Sequence, residues 1–243
     1  MSIKLLFQDG YSVKARLIPA LVTILPTVAL IVWWGRGRLA LFLQHCAYLV
    51  KIGIIVAFIP FVLLSIIWIW SFFISVFAKW GESIVFKDGK TYPTTNLLMW
   101  QNPTWPQEYK RKIHNAICDD FSINLLDAEG ELETELTARK LIVSAVDCIR
   151  TKVGNGRIVL QYNTEYGFAR NLVVGSFFAF IVSIVDLFIG IHIGQDSFEY
   201  FSSIVFLIAY GIVLILAKPM LTFLAKLYAK SLISEYMSIR SNK

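Results

Sequence analysis

The stretch "SFFAFIVSIVDLFIG", residues 176–190, decides how this chain is read. It is apolar enough to sit in a bilayer, yet Asp186 stands in its middle. Widened to Leu172–Ile193, it is one of four apolar blocks of about the 20 residues that a membrane-crossing helix needs. The others are Leu17–Trp34 ("LIPALVTILPTVALIVWW"), Ile52–Phe77 and a block from about Ser202 to Leu224. Bulk composition agrees. Of 243 residues 56% are hydrophobic and only 16% charged, with a mean hydropathy of +0.62. A soluble domain carries about 25% charged residues, so an ordinary soluble domain is excluded.

The expected fold class is a mainly α membrane protein. Four transmembrane helices would carry a small, mostly helical cytoplasmic domain, 78–171, inserted between helices 2 and 3. Residues 1–77 would hold the N-terminal segment and helices 1 and 2, and residues 172–243 helices 3 and 4 with a C-terminal tail. The first block ends in Trp33, Trp34, Gly35 and Arg36 with no small-residue cleavage site, so it is expected to stay as an anchor. Twenty of the 23 Lys and Arg residues fall on one side if both termini and the domain share it. The positive-inside rule makes that side the cytoplasm, and a bacterial inner membrane is the expected location. Cys46, Cys118 and Cys148 share no metal-ligand spacing, and neither a metal site nor a cofactor is expected.

On a helix, Ser176, Ala179, Ser183, Asp186 and Gly190 recur at spacings of three and four and form one small, polar stripe. Phenylalanines and aliphatic residues cover the rest. Two readings follow. The stripe is a packing seam in which a hydroxyl or an indole caps Asp186, or it lines a water-filled path, the usual place of an acid inside a membrane. One acid per chain builds no pore alone, but a homo-oligomer, such as a tetramer, would repeat it as a ring. Pro19 and Pro26 imply a kinked first span whose freed carbonyls need partners. No internal repeat of broken helices points to a carrier.

In the domain, Asp88-Gly89 reads as a turn between short extended runs. Thr104 and Gln107 have capping-box spacing before a helix that runs to about Cys118, with Tyr109, Ile113 and Ile117 inward. A second helix is expected over 131–157, with Leu132, Leu136, Leu141, Val143, Val146 and Ile149 on its apolar side and Gly154-Asn155-Gly156 ending it. The run from Arg157 should lead into the third span as a helix. No catalytic set is present, so an enzyme is not expected. Lys110, Arg111 and Lys112 form one basic cluster, and Arg139, Lys140, Arg150, Lys152 and Arg157 another, with Trp105 and Tyr162 interleaved. Cations mixed with stacking aromatics suit a nucleotide or single-stranded nucleic acid. Solvated faces, lipid headgroup contacts or pairing with the acids of 119–135 would use the same residues.

The runs "YPTTNLLMW", "YKRKIHNAI", "AVDCIRTKV" and "LQYNTEYGFARNLVVG" resemble small bacterial four-span effectors of anti-phage operons of the CBASS and Hailong kind. The similarity covers roughly 90–175. It implies a defence effector that disrupts the inner membrane and is switched by the nucleotide product, or short single-stranded DNA, of a partner nucleotidyltransferase. The expected function is thus a nucleotide-gated oligomeric channel. The rival is a membrane-anchored scaffold that recruits a cytoplasmic enzyme and conducts nothing.

Overall fold

A computed structural model describes residues 10–34, 54–86, 91–154, 156–193 and 197–241. The expected Asp88-Gly89 turn lies outside these residues. Among the described residues the chain is helical and contains no strand. A helical turn at Gly10–Ser12 and a π-helical turn at Val13–Leu17 precede α1 (Ile18–Thr23) and α2 (Leu25–Trp34). Then come α3 (Ile54–Val85), α4 (Pro93–Leu98), α5 (Gln107–Phe121), α6 (Ala128–Glu133) and α7 (Glu135–Val153). The chain closes with α8 (Arg157–Ile193), α9 (Ser197–Ile215) and α10 (Ala217–Ser241). Three helical stretches are long and apolar enough to cross a membrane: Gly10–Trp33, Phe61–Ser83 and Arg157–His192. A fourth is added if α9 and α10, broken at Leu216, count as one span.

The chain divides into two compact units. The first is drawn from 1–79 and 167–218, the second from 80–166 and 219–243. This departs from the expected partition, because the C-terminal residues from Pro219 onward belong with the polar domain. The reason is visible on α10. Leu232, Ile233 and Tyr236 enter the second unit's core beside Ile113 and Ile117 of α5 and Ile142, Val146 and Ile149 of α7. From Pro219 onward, what reads as the end of a membrane span and its tail packs one face of an amphipathic helix into the second unit's core.

Within the first unit, prolines shape the first span. Pro19 has no N–H to return to the Ala15 carbonyl four residues earlier, and its ring crowds that carbonyl. The widened π turn lies immediately before it. The Asn171 amide of α8 donates to the Ala15 carbonyl at 2.6 Å. Pro26 likewise withholds an N–H from Val22, and the Tyr210 hydroxyl of α9 donates there at 2.7 Å. The freed carbonyls expected from the sequence are thus supplied by two other helices. Beside them, Gly175 of α8 meets Thr23 at close range, and the Thr23 hydroxyl donates to the Pro19 carbonyl at 2.8 Å.

In the second unit several expected ends move. The run "YPTTNLLMW" holds helix α4 rather than an extended segment, with Pro93 at its start. The capping box does not form. Pro106 occupies the N-cap of α5, and the Thr104 N–H bonds the Asn102 side chain instead. Helix α5 runs on to Phe121, where Ser122 closes it in the left-handed conformation (φ 56°). The single helix expected over 131–157 is two, broken at Thr134, with Asp127 capping α6 by accepting the Gly130 N–H at 2.8 Å. Leu132 and Leu136 point to solvent, Leu136 because it lies well off the face that α7 buries, while Val146 and Ile149 are buried as expected. Gly154, at φ 61°, ends α7 as anticipated.

Candidate anion site

The second unit contains a cavity of about 580 Å³. Helix α4 contributes Pro93, Asn96 and Leu97, the following turn contributes Met99 and Gln101 to Thr104, and α7 contributes Arg139. Thr222, Lys226 and Lys230 reach it from α10 at intervals of four, so one helix face delivers all three. The adjoining face of α10, with Leu221, Ala225, Ala229, Leu232 and Ile233, is buried.

Three cations and no carboxylate line this cavity. The Arg139 guanidinium donates to the Asn96 carbonyl oxygen at 2.7 Å and to Glu135 at 2.9 Å, and the Asn96 amide donates to the Thr91 carbonyl at 3.2 Å. This chain of bonds fixes the planar donor fork at the wall. Lys226 and Lys230 make no ion pair among the described residues. Amide and hydroxyl groups from Gln101, Asn102, Thr104 and Thr222 alternate with apolar surface from Leu97, Met99 and the prolines. Clustered cations, convergent polar groups and apolar walls of this volume suit an anion with an organic body.

Of the basic and aromatic residues read from the sequence as ligand-binding, Arg139 alone lines the cavity. Lys110 departs furthest from expectation: it is buried, and its ammonium donates to the carbonyls of Met99, Trp100 and Asn102. Burial pulls its pKa below the usual lysine range, partly opposed by the nearby Glu131 charge. Arg111, Lys140 and Arg157 are exposed away from the cavity, and Lys112 lines a separate shallow depression beside Arg240. Arg150 pairs with Asp147 at 3.2 Å. Lys152 pairs with Asp120 at 2.6 Å, and the bonds from Lys152 and then Tyr236 hold that carboxyl below the usual range. Trp105 packs edge-on against Tyr109 at 5.5 Å, beside the core, and Tyr162 is half-buried outside the cavity lining. Lys226 and Lys230 went unrecognised because they follow an apolar block, although their spacing from Thr222 was available. Among the described residues no group of three or more His, Cys, Asp and Glu side chains could hold a metal.

In the first unit the stripe on α8 is one face, as the spacing predicts. Ser176, Ala179, Ser183, Asp186 and Gly190 are all buried, while Phe177, Ile184 and Phe188 are exposed. The chain itself buries this face. The Ser203 hydroxyl of α9 donates to Asp186 Oδ2, and Asp186 Oδ1 has no hydrogen-bond partner. Ser183 donates to the Ala179 carbonyl at 2.8 Å. Within a single chain, then, the geometry is that of the seam rather than of an open lumen. Ser203→Ala should lower the thermal midpoint of the purified protein, because it strips a buried acid of its donor at a cost of about 1–3 kcal/mol. The double variant Ser203→Ala/Asp186→Leu should recover most of that loss. A single variant that melts with the wild type would show that this bond holds nothing.

Comparison of the chain with protein-family models, with curated proteins and with solved structures finds no match.

Proposed function

We propose that the chain is a homo-oligomeric membrane channel gated by a nucleotide or a short oligonucleotide, acting as an antiviral effector. The observation that carries this reading is the cavity walled by Arg139, Lys226 and Lys230 with no carboxylate among its lining residues. A phosphate-bearing ligand would pair with Lys226 and Lys230 beside an Arg139 already bonded to Glu135, and its base can lie against Leu97, Met99 and the prolines. Helices long and apolar enough to span a bilayer supply the membrane half of the proposal. Ligand affinity that differs between two arrangements would bias the spans, since only differential binding shifts a conformational equilibrium. In this reading the second unit and both termini face the cytoplasm of a bacterial inner membrane, four spans cross it, and a nucleotidyltransferase makes the ligand.

The test is binding of ATP and of a mixed-sequence DNA tetranucleotide to the full chain in detergent. Reversing both lysines, Lys226→Glu/Lys230→Glu, should weaken whichever ligand binds by roughly 100-fold or more, since charge-assisted contacts contribute about 1.5–3 kcal/mol each. Binding should also fall with added salt. Equal affinity in the variant and the wild type would move the site elsewhere.

One observation favours a second reading, a non-conducting membrane-anchored scaffold. Asp186 is turned into the chain's own seam and bonded to Ser203, an arrangement that supports a packing role. Electrical recording from bilayers containing the purified protein separates the two. A ligand-dependent current supports the channel, and silence under saturating ATP and oligonucleotide supports the scaffold.

A further inference from the structure

Two buried charges that do not line the cavity act on its wall. Lys110, on α5, is 0% exposed. Its ammonium donates to the carbonyls of Met99 at 2.7 Å, Trp100 at 3.0 Å and Asn102. An ammonium has three donors, so each has found a backbone carbonyl. Glu131, on α6, is 1% exposed and takes the same turn by its N–H groups, accepting from Trp100 at 2.9 Å and Gln101 at 3.2 Å. The turn after α4 is therefore held by a cation on its carbonyls and an anion on its amides. Its flanks are fixed too. The Trp100 indole donates to the Leu126 carbonyl at 2.9 Å, and His114 Nε2 donates to the Leu98 carbonyl at 2.9 Å.

The pair satisfies five backbone groups of the turn, which is one role, and its placement gives it a second. Met99–Asn102 belongs to no helix that would fix its shape, and Met99, Gln101 and Asn102 all line the cavity. One backbone bond, from the Asn102 N–H to the Met99 carbonyl at 3.2 Å, closes this turn, and outside contacts supply the remaining constraint that its side-chain amides need to meet a ligand at fixed positions.

We propose that Lys110 and Glu131 are positioning residues for the cavity, holding the Met99–Asn102 turn so that Gln101 and Asn102 stand as a preformed polar wall beside Arg139, Lys226 and Lys230. The inference rests on the reading of the cavity as an anion site. Neither residue touches the ligand. Both act through the backbone they bind.

The experiment uses the full chain in detergent, with ATP as the probe. Three quantities are measured: the dissociation constant, the thermal midpoint, and amide hydrogen exchange across 99–104. The charge-free pair Lys110→Met/Glu131→Leu leaves five backbone groups of the turn without their partners, so its midpoint should fall, and binding is read well below that midpoint. The pair should weaken ATP binding at least tenfold and speed exchange at Trp100 and Gln101. If that pair does not fold, Glu131→Gln keeps the packing and one acceptor oxygen, and its expected loss is threefold to tenfold. ATP affinity within twofold of the wild type in a folded variant overturns the proposal. Lys226→Ala/Lys230→Ala is the control: ATP affinity unchanged there means that the anion reading itself has failed, and the positioning role with it.

Discussion

Tyr236→Ala should unfold the second unit more readily than any other single truncation, costing about 3–5 kcal/mol, the range for removing a large buried aromatic. Tyr236 is fully buried on α10, within the cluster that contains Ile113, Ile117 and Ile149. Its ring stacks on Phe121 at 6.0 Å and lies 5.6 Å from the Lys152 ammonium. Its hydroxyl donates to Asp120 at 2.7 Å. Burial, and then the bond to Asp120, push the phenol's pKa well above its ordinary value, so it stays a donor over the whole working range of pH. Tyr236→Phe separates the two contributions. It keeps the packing and loses one bond, and Asp120 retains Lys152, so about 1 kcal/mol is expected. Thermal or denaturant unfolding followed by tryptophan fluorescence measures both. A truncation that costs no more than the hydroxyl deletion would mean that α10 is not part of this core.

Gly175→Ala is the second large effect and acts in the first unit. A methyl group built there meets Thr23 Oγ1 at 2.5 Å, Cγ2 at 2.7 Å and Cβ at 2.9 Å, all closer than real contacts allow. Thr23 cannot swing aside freely. Its hydroxyl is bonded to the Pro19 carbonyl, and the Trp70 indole approaches it at 3.4 Å. The added carbon must separate two helices at a point where close approach depends on the missing side chain. Overpacking of this kind costs about 1–3 kcal/mol. Thr23→Ala removes two of the three clashing atoms, so the double variant should recover about half of the loss. The thermal midpoint in detergent measures it, and a Gly175→Ala protein that melts with the wild type would show that the two helices part easily there.

How much of this was legible in the sequence varies with what each signal encodes. The α8 stripe was readable because helical geometry alone decides which residues share a face, and Ser176, Ser183 and Asp186 do share one. What covers that face is a matter of tertiary packing, and Ser203 lies 17 positions away. The Lys110-Arg111-Lys112 run was misleading for a geometric reason. Consecutive residues on a helix point about 100° apart, so three in a row cannot form one patch. The phase set by Ile113 and Ile117 turns Lys110 inward, leaving Arg111 and Lys112 outside. Helix α10 was hidden by hydropathy. Its start continues an apolar block, while its alternation of Leu221, Ala225 and Ala229 with Thr222, Lys226 and Lys230 marks a two-faced helix. The cavity was unreadable as a cavity, because its cations are far apart in the chain and meet only when α7 and α10 flank the turn after α4.

The prolines of the first span have a consequence for the order of assembly. As residues 10–34 emerge from the ribosome, the carbonyls of Ala15 and Val22 lack the donors that residues 19 and 26 would supply if they were not prolines. Their partners, Asn171 and Tyr210, are translated roughly 150 and 190 residues later. Until then this segment is poorly matched to hydrocarbon, and its settled place in the lipid depends on polypeptide not yet made.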